Sequence, residues 1–135
     1  MKDILEKLKD DEHYYGDFGK NYLSNSDIIT LLNDPKSFRQ PKDFTKPMLL
    51  GRYFHTAMLE PEKLVSEEFT SIDVASRNSK KYKEEILGYG RALMMLDKEK
   101  AEIDKAISVM KNNLELFEDI YDDANEFEVP AVQEV

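Results

Sequence analysis

Apolar residues recur every three or four positions along most of the chain, and proline or glycine separates the runs. Spacing of this kind predicts amphipathic helices, and a proline that follows such a run predicts where the helix stops. Ser24 or Ser26 is suited to cap the second helix, because a side-chain oxygen there accepts a backbone N–H of the first turn. The predicted helices cover residues 2–9, 24–34, 48–59, 79–96, 97–112 and 113–123, with a short helical turn at 34–41.

Extended structure is predicted in two places. In residues 66–74 apolar and polar residues alternate weakly. In residues 125–135 the spacing of apolar residues changes from the helical period to that of strands, which Pro130 interrupts. A strand at the end of a helical chain needs a partner, which either residues 69–74 or a continuation of the natural protein would supply. The expected fold is a single domain over residues 1–135, mainly α (α+β), with a short C-terminal strand or hairpin.

Composition limits the class of protein. Charged residues make up 35% of the 135 residues and hydrophobic ones 41%, as in a highly charged globular protein. No apolar run approaches the roughly eighteen residues that indicate a membrane span, and the N-terminus has no apolar core of the signal-peptide kind. We therefore expect a cytoplasmic protein. The absence of cysteine excludes disulfides, thiolate zinc sites and cysteine nucleophiles.

The charge is unevenly distributed along the chain. The formal net charge is −9, and residues 97–135 hold twelve Asp/Glu against four Lys/Arg. An acidic balance argues against nucleic acid as a partner, because phosphates repel a negative surface. Residues 36–52 and 77–91 are nevertheless locally basic. An ordinary solvated face is the simpler explanation of each basic stretch, and a phosphate-binding surface is the alternative.

His55 lies within the apolar helix predicted at residues 48–59. A lone histidine on a helix is more often a packed or surface residue than a metal ligand. An imidazole near carboxylates can also bind a divalent cation, and the tail offers Glu126, Glu128 and Glu134 as oxygen ligands. No HExxH, Walker, GxSxG or Asp-Glu-x-Lys motif accompanies them, so the residues alone leave both interpretations open.

Several motifs follow one another in an order that is more specific than any one of them. "YLSNSDIITLLNDPKSF" comes first, then "LLGRYFHTAMLEPEKL", then "SRNSKKYKEE". This order resembles the N-terminal half of phage and bacterial recombination exonucleases of the exonuclease VIII type, in the RecB-like branch of the PD-(D/E)XK nuclease superfamily. The shared elements are a Ser-x-Ser helix start, a Gly-x-x-x-His helix followed by Leu-Glu-Pro, and a basic stretch that opens a long helix. The resemblance covers roughly residues 13–135.

The resemblance implies a site. In RecB-like nucleases the histidine of this helix lies at the active site and contributes to a magnesium or manganese centre. His55 is therefore the expected metal ligand, and Glu128 is the tail carboxylate expected to share the ion. Gly51 would let the helix approach a neighbouring backbone closely, and residues 125–135 would begin the nuclease sheet. The residues expected to contact the DNA backbone are Lys36, Arg39, Arg52, Lys80 and Lys81.

The chain departs from the family at the catalytic residues. In the family an aspartate and a Glu-x-Lys pair follow the segment that resembles "EFEVPAVQEV", and these residues are missing from the sequence. The expectation is the N-terminal part of a metal-dependent DNA exonuclease of a bacterial host cell, with no catalytic residue of its own. Such a chain should hold no metal alone and should be inactive by itself, because the ions that activate water would lack most of their ligands.

Two other functions stay open. A phage-type protein that keeps the nuclease scaffold would act as an interaction protein or inhibitor of a host nuclease or DNA-processing complex. Its acidic residues 97–135 would then resemble DNA to a basic cleft. A helical module without any site is the third alternative. The sequence leaves the oligomeric state, the metal ion, the polarity of digestion and any protein partner undetermined.

Overall fold

The computed structural model describes residues 1–133, and the chain divides into two compact units. Met1–Lys42 and the segment that starts at Glu126 form the N-terminal unit, and Asp43–Asn125 form the central unit. The single domain expected over residues 1–135 stays a prediction. Two residues of the predicted tail strand, Glu134 and Val135, lie outside the described residues.

Helices account for 61% of the described residues and strands for 3%, so the mainly α fold class is confirmed. The helices are α1 (Lys2–Leu8), α2 (Asp11–Tyr15), α3 (Asn25–Asn33), α4 (Lys46–Leu59), α5 (Lys80–Tyr89), α6 (Asp97–Lys111) and α7 (Leu114–Ile120). Short 3₁₀ helices form at Gly19–Asn21, Pro35–Ser37, Pro61–Val65 and Glu67–Phe69. Over the described chain no helix combines the length and the apolar composition that a membrane crossing requires.

The two strands lie inside the central unit. β1 (Ser71–Ile72) falls within the stretch predicted to be extended, and β2 (Met95–Leu96) immediately precedes α6. They pair in parallel, with Ser71 opposite Met95 and Ile72 opposite Leu96. Parallel strands need a long connection, and α5 lies within it.

The predicted C-terminal strand is wrong for the part of the tail that the structure describes. Residues 126–133 form no strand there. Residues 69–74, one of the two alternative partners considered, contain β1, which pairs with β2. Pro130 has no backbone N–H to donate to a neighbouring strand. Glu128 has a φ of +53°, which lies outside the extended region of backbone conformations.

One helix is shorter than the sequence predicted. Helical spacing suggested residues 79–96, but α5 ends at Tyr89 because Gly90 adopts a left-handed conformation with a φ of +74°. The chain then becomes extended and enters β2. The predicted ends of the helices at residues 2–9, 24–34, 48–59 and 97–112 agree with the structure within two residues. The last helix ends at Ile120 and not at 123, the predicted turn at 34–41 is confined to Pro35–Ser37, and α2 was not predicted.

The core of the central unit consists of three groups of buried side chains. The first is Leu49, Tyr53, Phe69 and Met95; the second is Ile72, Tyr82, Met94 and Leu96; and the third is Ala57, Met58 and Ile107. Helix α4 contributes to two of them, so its orientation in the central unit is well determined. Among the described residues of the N-terminal unit, Leu8 is the one buried hydrophobic side chain.

Candidate functional site

Helix α4 has a buried face and an opposite face that is exposed. Leu49 and Tyr53 are buried in the core, and they lie one turn apart along the helix. Met48, Gly51 and His55 recur at three- and four-residue spacing on the other side, and all three are exposed. We call these three residues the open face of α4. His55 is therefore a surface histidine of this helix and is not packed into the aliphatic core.

Two hydrogen bonds fix the orientation of α4. The Tyr53 hydroxyl donates to Asp104 Oδ1 on α6 at 2.5 Å, and the Tyr121 hydroxyl donates to the Met58 carbonyl oxygen at 2.9 Å. Burial, and then the hydrogen bond to Asp104, raises the pKa of Tyr53, so this phenol stays protonated and remains a donor. The open face of α4 is thus held in one direction, with Tyr53 bonded to α6 on the opposite side of the helix.

The predicted ligands belong to different units of the chain. His55 lies in the central unit, whereas Glu126 and Glu128 are exposed residues of the segment that clusters with the N-terminal unit. Glu134 lies outside the described residues. Within residues 1–133 no group of three or more histidine, aspartate or glutamate side chains could hold a metal ion. The pairing of His55 with Glu128 stays a prediction.

Gly51 has open space around it. Apart from its two chain neighbours and the nearby backbone of the helix itself, no atom of residues 1–133 lies within 4 Å of the position that a Cβ would occupy. The close approach of another backbone that was predicted at this glycine is therefore not made by the described chain. An exposed glycine inside a helix destabilises it by about 0.5–1 kcal/mol relative to alanine.

Arg52 has a carboxylate partner close by. Its Nε and Nη2 atoms donate to Glu68 Oε2 and Oε1 at 3.1 and 3.0 Å, a two-bond arrangement that fixes the plane of the guanidinium. A phosphate would therefore compete with Glu68 for this side chain. Of the basic residues predicted to contact DNA, Arg52 is already the most firmly tied to an acidic partner.

The other four predicted DNA contacts lie at the surface. Lys80 and Lys81 begin α5 and are exposed, and Lys80 is 3.7 Å from Glu84. Lys36 and Arg39 belong to the N-terminal unit and are also exposed. Arg39 has a φ of +53°, and its Nη2 donates to a backbone carbonyl oxygen. Lys80 and Lys81 therefore belong to the central unit, and Lys36 and Arg39 belong to the N-terminal unit.

A buried ion network was missed by the sequence analysis. The Glu99 side chain is 7% exposed, and Arg77 donates to both of its carboxylate oxygens at 2.6 and 2.7 Å. Lys46 at the start of α4 lies 3.1 Å from the same carboxylate. The Leu96 backbone N–H donates to it as well, at 3.1 Å. Arg77 also donates to the Met94 carbonyl oxygen.

This network lowers the pKa of Glu99 to about 2, mainly because of the hydrogen bonds from Arg77. The available signal in the sequence was weak: Glu99 is the third residue of α6, where a carboxylate commonly accepts the N–H of the residue that precedes the helix. Two cations that contributed to the locally basic stretches, Lys46 and Arg77, are therefore both paired with this one carboxylate.

Comparisons with protein-family profiles, with curated proteins and with solved structures found no match for this chain. The RecB-like identity therefore stays a prediction supported by the order of its sequence motifs.

Proposed function

We propose that this chain is the helical N-terminal part of a metal-dependent DNA exonuclease and that α4 presents His55 to the metal centre. The observation that supports the proposal is the open face of α4, where His55 is exposed one turn after Gly51. The described chain gives no packing reason for a glycine at this position. A helix face without a side chain at its centre suits the close approach of another backbone.

The metal ligands that this chain lacks must come from residues that approach the open face of α4. One imidazole fills one coordination position, whereas magnesium and manganese are bound mainly through carboxylate and water oxygens. Residues 1–133 hold no group that would complete the set. In the proposed enzyme the family's aspartate and Glu-x-Lys strands supply the carboxylates, and the bound ions supply Lewis-acid activation of water.

The first test concerns the gene and then His55. A reading frame that continues past codon 135 and encodes an aspartate followed by Glu-x-Lys supports the enzyme. In that longer product, His55→Ala should lower magnesium- or manganese-dependent DNA cleavage by roughly 10–100-fold or more, the loss seen when even outer-shell partners of a metal are removed. His13→Ala is the matched control, because it removes the chain's other histidine, and it should cleave at the unaltered rate.

The same assay has two informative negative results. Cleavage that survives His55→Ala unchanged removes His55 from the metal centre. The 135-residue chain alone should not hydrolyse DNA with either ion, and activity there would contradict the proposal that the catalytic carboxylates are supplied by other residues.

A second function is favoured by the acidic surface around α7. Five carboxylates between Leu114 and Asp123 are exposed, with no lysine or arginine among them. We propose as the alternative an interaction protein whose acidic surface occupies the DNA-binding cleft of a host nuclease or DNA-processing complex. A stop codon after residue 135 favours this function, and a pull-down from host lysate that recovers no specific protein counts against it.

A further inference from the structure

Arg52 borders the open face of α4. With about 3.6 residues per helical turn, its position around the helix falls between exposed His55 on one side and buried Leu49 on the other. The Arg52 side chain is 37% exposed, so an anion in solution can reach its guanidinium. Residues three positions apart on a helix are neighbours, and a phosphate placed at His55 would therefore lie within reach of Arg52.

The partner of Arg52 is more deeply placed than Arg52 itself. The Glu68 side chain is 16% exposed, and both of its carboxylate oxygens accept hydrogen bonds from Arg52. A guanidinium binds a carboxylate and a phosphate through the same two-bond geometry. A phosphate that binds in this way needs the Nε and Nη2 donors that Glu68 already occupies.

The core holds both residues of this pair in place through their neighbours in the chain. Tyr53 follows Arg52 and Phe69 follows Glu68, and these two rings are buried in the same group of side chains, with 5.6 Å between their centroids. The Ser66 hydroxyl also accepts the Glu68 backbone N–H, at 3.5 Å. Loss of the Glu68 charge should therefore leave the backbone at Arg52 where it is.

We propose that the Arg52–Glu68 pair is an autoinhibitory contact, in which Glu68 competes with a DNA phosphate for the guanidinium of Arg52. This inference rests on the proposed function, since it concerns the DNA contact predicted for Arg52. Contacts to phosphate supply the sequence-independent part of DNA affinity. Glu68 thus limits how tightly the surface beside His55 holds the DNA backbone.

The test is the affinity of the full 135-residue chain for labelled duplex DNA, measured by fluorescence anisotropy at low salt without added metal. Glu68→Gln should raise the binding constant about three- to fivefold, which corresponds to the strength of a well-formed, partly exposed ion pair. The slope of the logarithm of this constant against the logarithm of salt concentration should also steepen, by up to about one unit, as Arg52 takes one more phosphate.

Glu67→Gln is the matched control. Glu67 precedes Glu68 in the same 3₁₀ helix and is exposed, so its substitution changes the net charge by the same amount. It should raise the affinity for DNA much less than Glu68→Gln does. The difference between the two variants removes the general effect of a less acidic protein.

A double-mutant cycle shows whether the gain acts through Arg52. In a chain that carries Arg52→Ala, Glu68→Gln should raise the affinity for DNA no more than Glu67→Gln does. Glutamine retains an oxygen that accepts a hydrogen bond from Arg52, so Glu68→Ala is the second variant and should gain at least as much as Glu68→Gln. Thermal unfolding followed by circular dichroism shows that the compared chains are folded at the assay temperature.

A Glu68→Gln chain that binds DNA no better than Glu67→Gln overturns the proposal, and so does a gain that persists beside Arg52→Ala. If Lys81→Ala still weakens binding in either case, the DNA contact of the proposed function stands without an inhibitory role for Glu68. Absence of DNA binding by the wild type and by every variant contradicts the predicted DNA contact as well.

Discussion

At the scale of single residues, Glu99 joins three segments of the central unit through one carboxylate. Arg77 reaches it from the loop before α5, Lys46 from the start of α4, and the Leu96 N–H from the end of β2. Losing one partner of such a buried arrangement leaves the others desolvated without compensation, which is strongly destabilising. The folded structure is therefore stabilised by the ionised form of Glu99.

The low pKa of Glu99 predicts acid sensitivity. Its folded-state pKa is about 2 against an ordinary 4.5, so the folded chain favours the ionised form. This stabilisation, on the order of 3 kcal/mol, is fully present above about pH 4.5 and is lost as the pH falls toward 2. Thermal unfolding should show Glu99→Gln less stable than the wild type at neutral pH, with the difference shrinking over that interval.

The matched control for this prediction is Glu102→Gln, which changes an exposed carboxyl of the same helix. The loss of thermal stability between neutral and acidic pH should be nearly the same in Glu102→Gln as in the wild type. Parallel loss of stability in the wild type and Glu99→Gln between pH 4.5 and 2 would show that the network does not control the acid response.

Local sequence identified the cations of this network but not their partner. Lys46 and Arg77 stood out because each lies in a locally basic stretch. Arg77 and Glu99 are 22 residues apart, and their meeting depends on the pairing of β1 with β2. Charge counted along the chain therefore overestimated the positive charge available to a phosphate, most clearly at Arg77 and at Arg52 beside Glu68.

At the scale of the elements, helix ends were predicted better than strand pairing. Ser24 caps α3 as expected, with reciprocal hydrogen bonds between Ser24 and Asp27, and Asp34-Pro35 ends the helix. These signals are local, so they can be read in sequence. The two-residue strands carry too short a pattern to be recognised, and their register depends on contacts between distant segments.

Substitution of glycine by alanine distinguishes the glycines of two helices. Gly51→Ala should stabilise the 135-residue chain by about 0.5–1 kcal/mol, because alanine restricts the unfolded chain and its Cβ would meet open space. Gly90→Ala should instead destabilise it by roughly 1 kcal/mol, because Gly90 has a positive φ at the end of α5. Chemical denaturation monitored by circular dichroism measures both changes.

Gly88→Ala is the control for Gly51→Ala, since Gly88 is also helical with open space around it. Both alanine variants should be stabilised. In the longer nuclease that we propose, Gly51→Ala should additionally lower metal-dependent cleavage while Gly88→Ala should not. If Gly51→Ala destabilised the chain, the space beside Gly51 on α4 would have to be occupied by another part of the protein.

At the scale of the whole molecule, the net charge of −9 opposes binding to DNA. The excess acid lies in residues 97–135, whereas the predicted DNA contacts lie between residues 36 and 81. Any affinity must therefore come from local cations whose charge is not already neutralised by the fold. The structure ranks these cations, because Arg52 is bound by Glu68 through two hydrogen bonds while Lys81 is exposed.

That ranking predicts different salt dependences for two variants of the chain. Each phosphate contact contributes close to one unit to the slope of the logarithm of the DNA-binding constant against the logarithm of salt concentration. Lys81→Ala should therefore reduce the slope by about one unit, whereas Arg52→Ala should reduce it by less. Fluorescence anisotropy with labelled duplex DNA measures both slopes, and Lys105→Ala on α6 serves as the control outside the predicted contacts. Equal losses for Arg52→Ala and Lys81→Ala would show that Glu68 releases Arg52 to DNA, and no loss for either would remove both from the DNA contact.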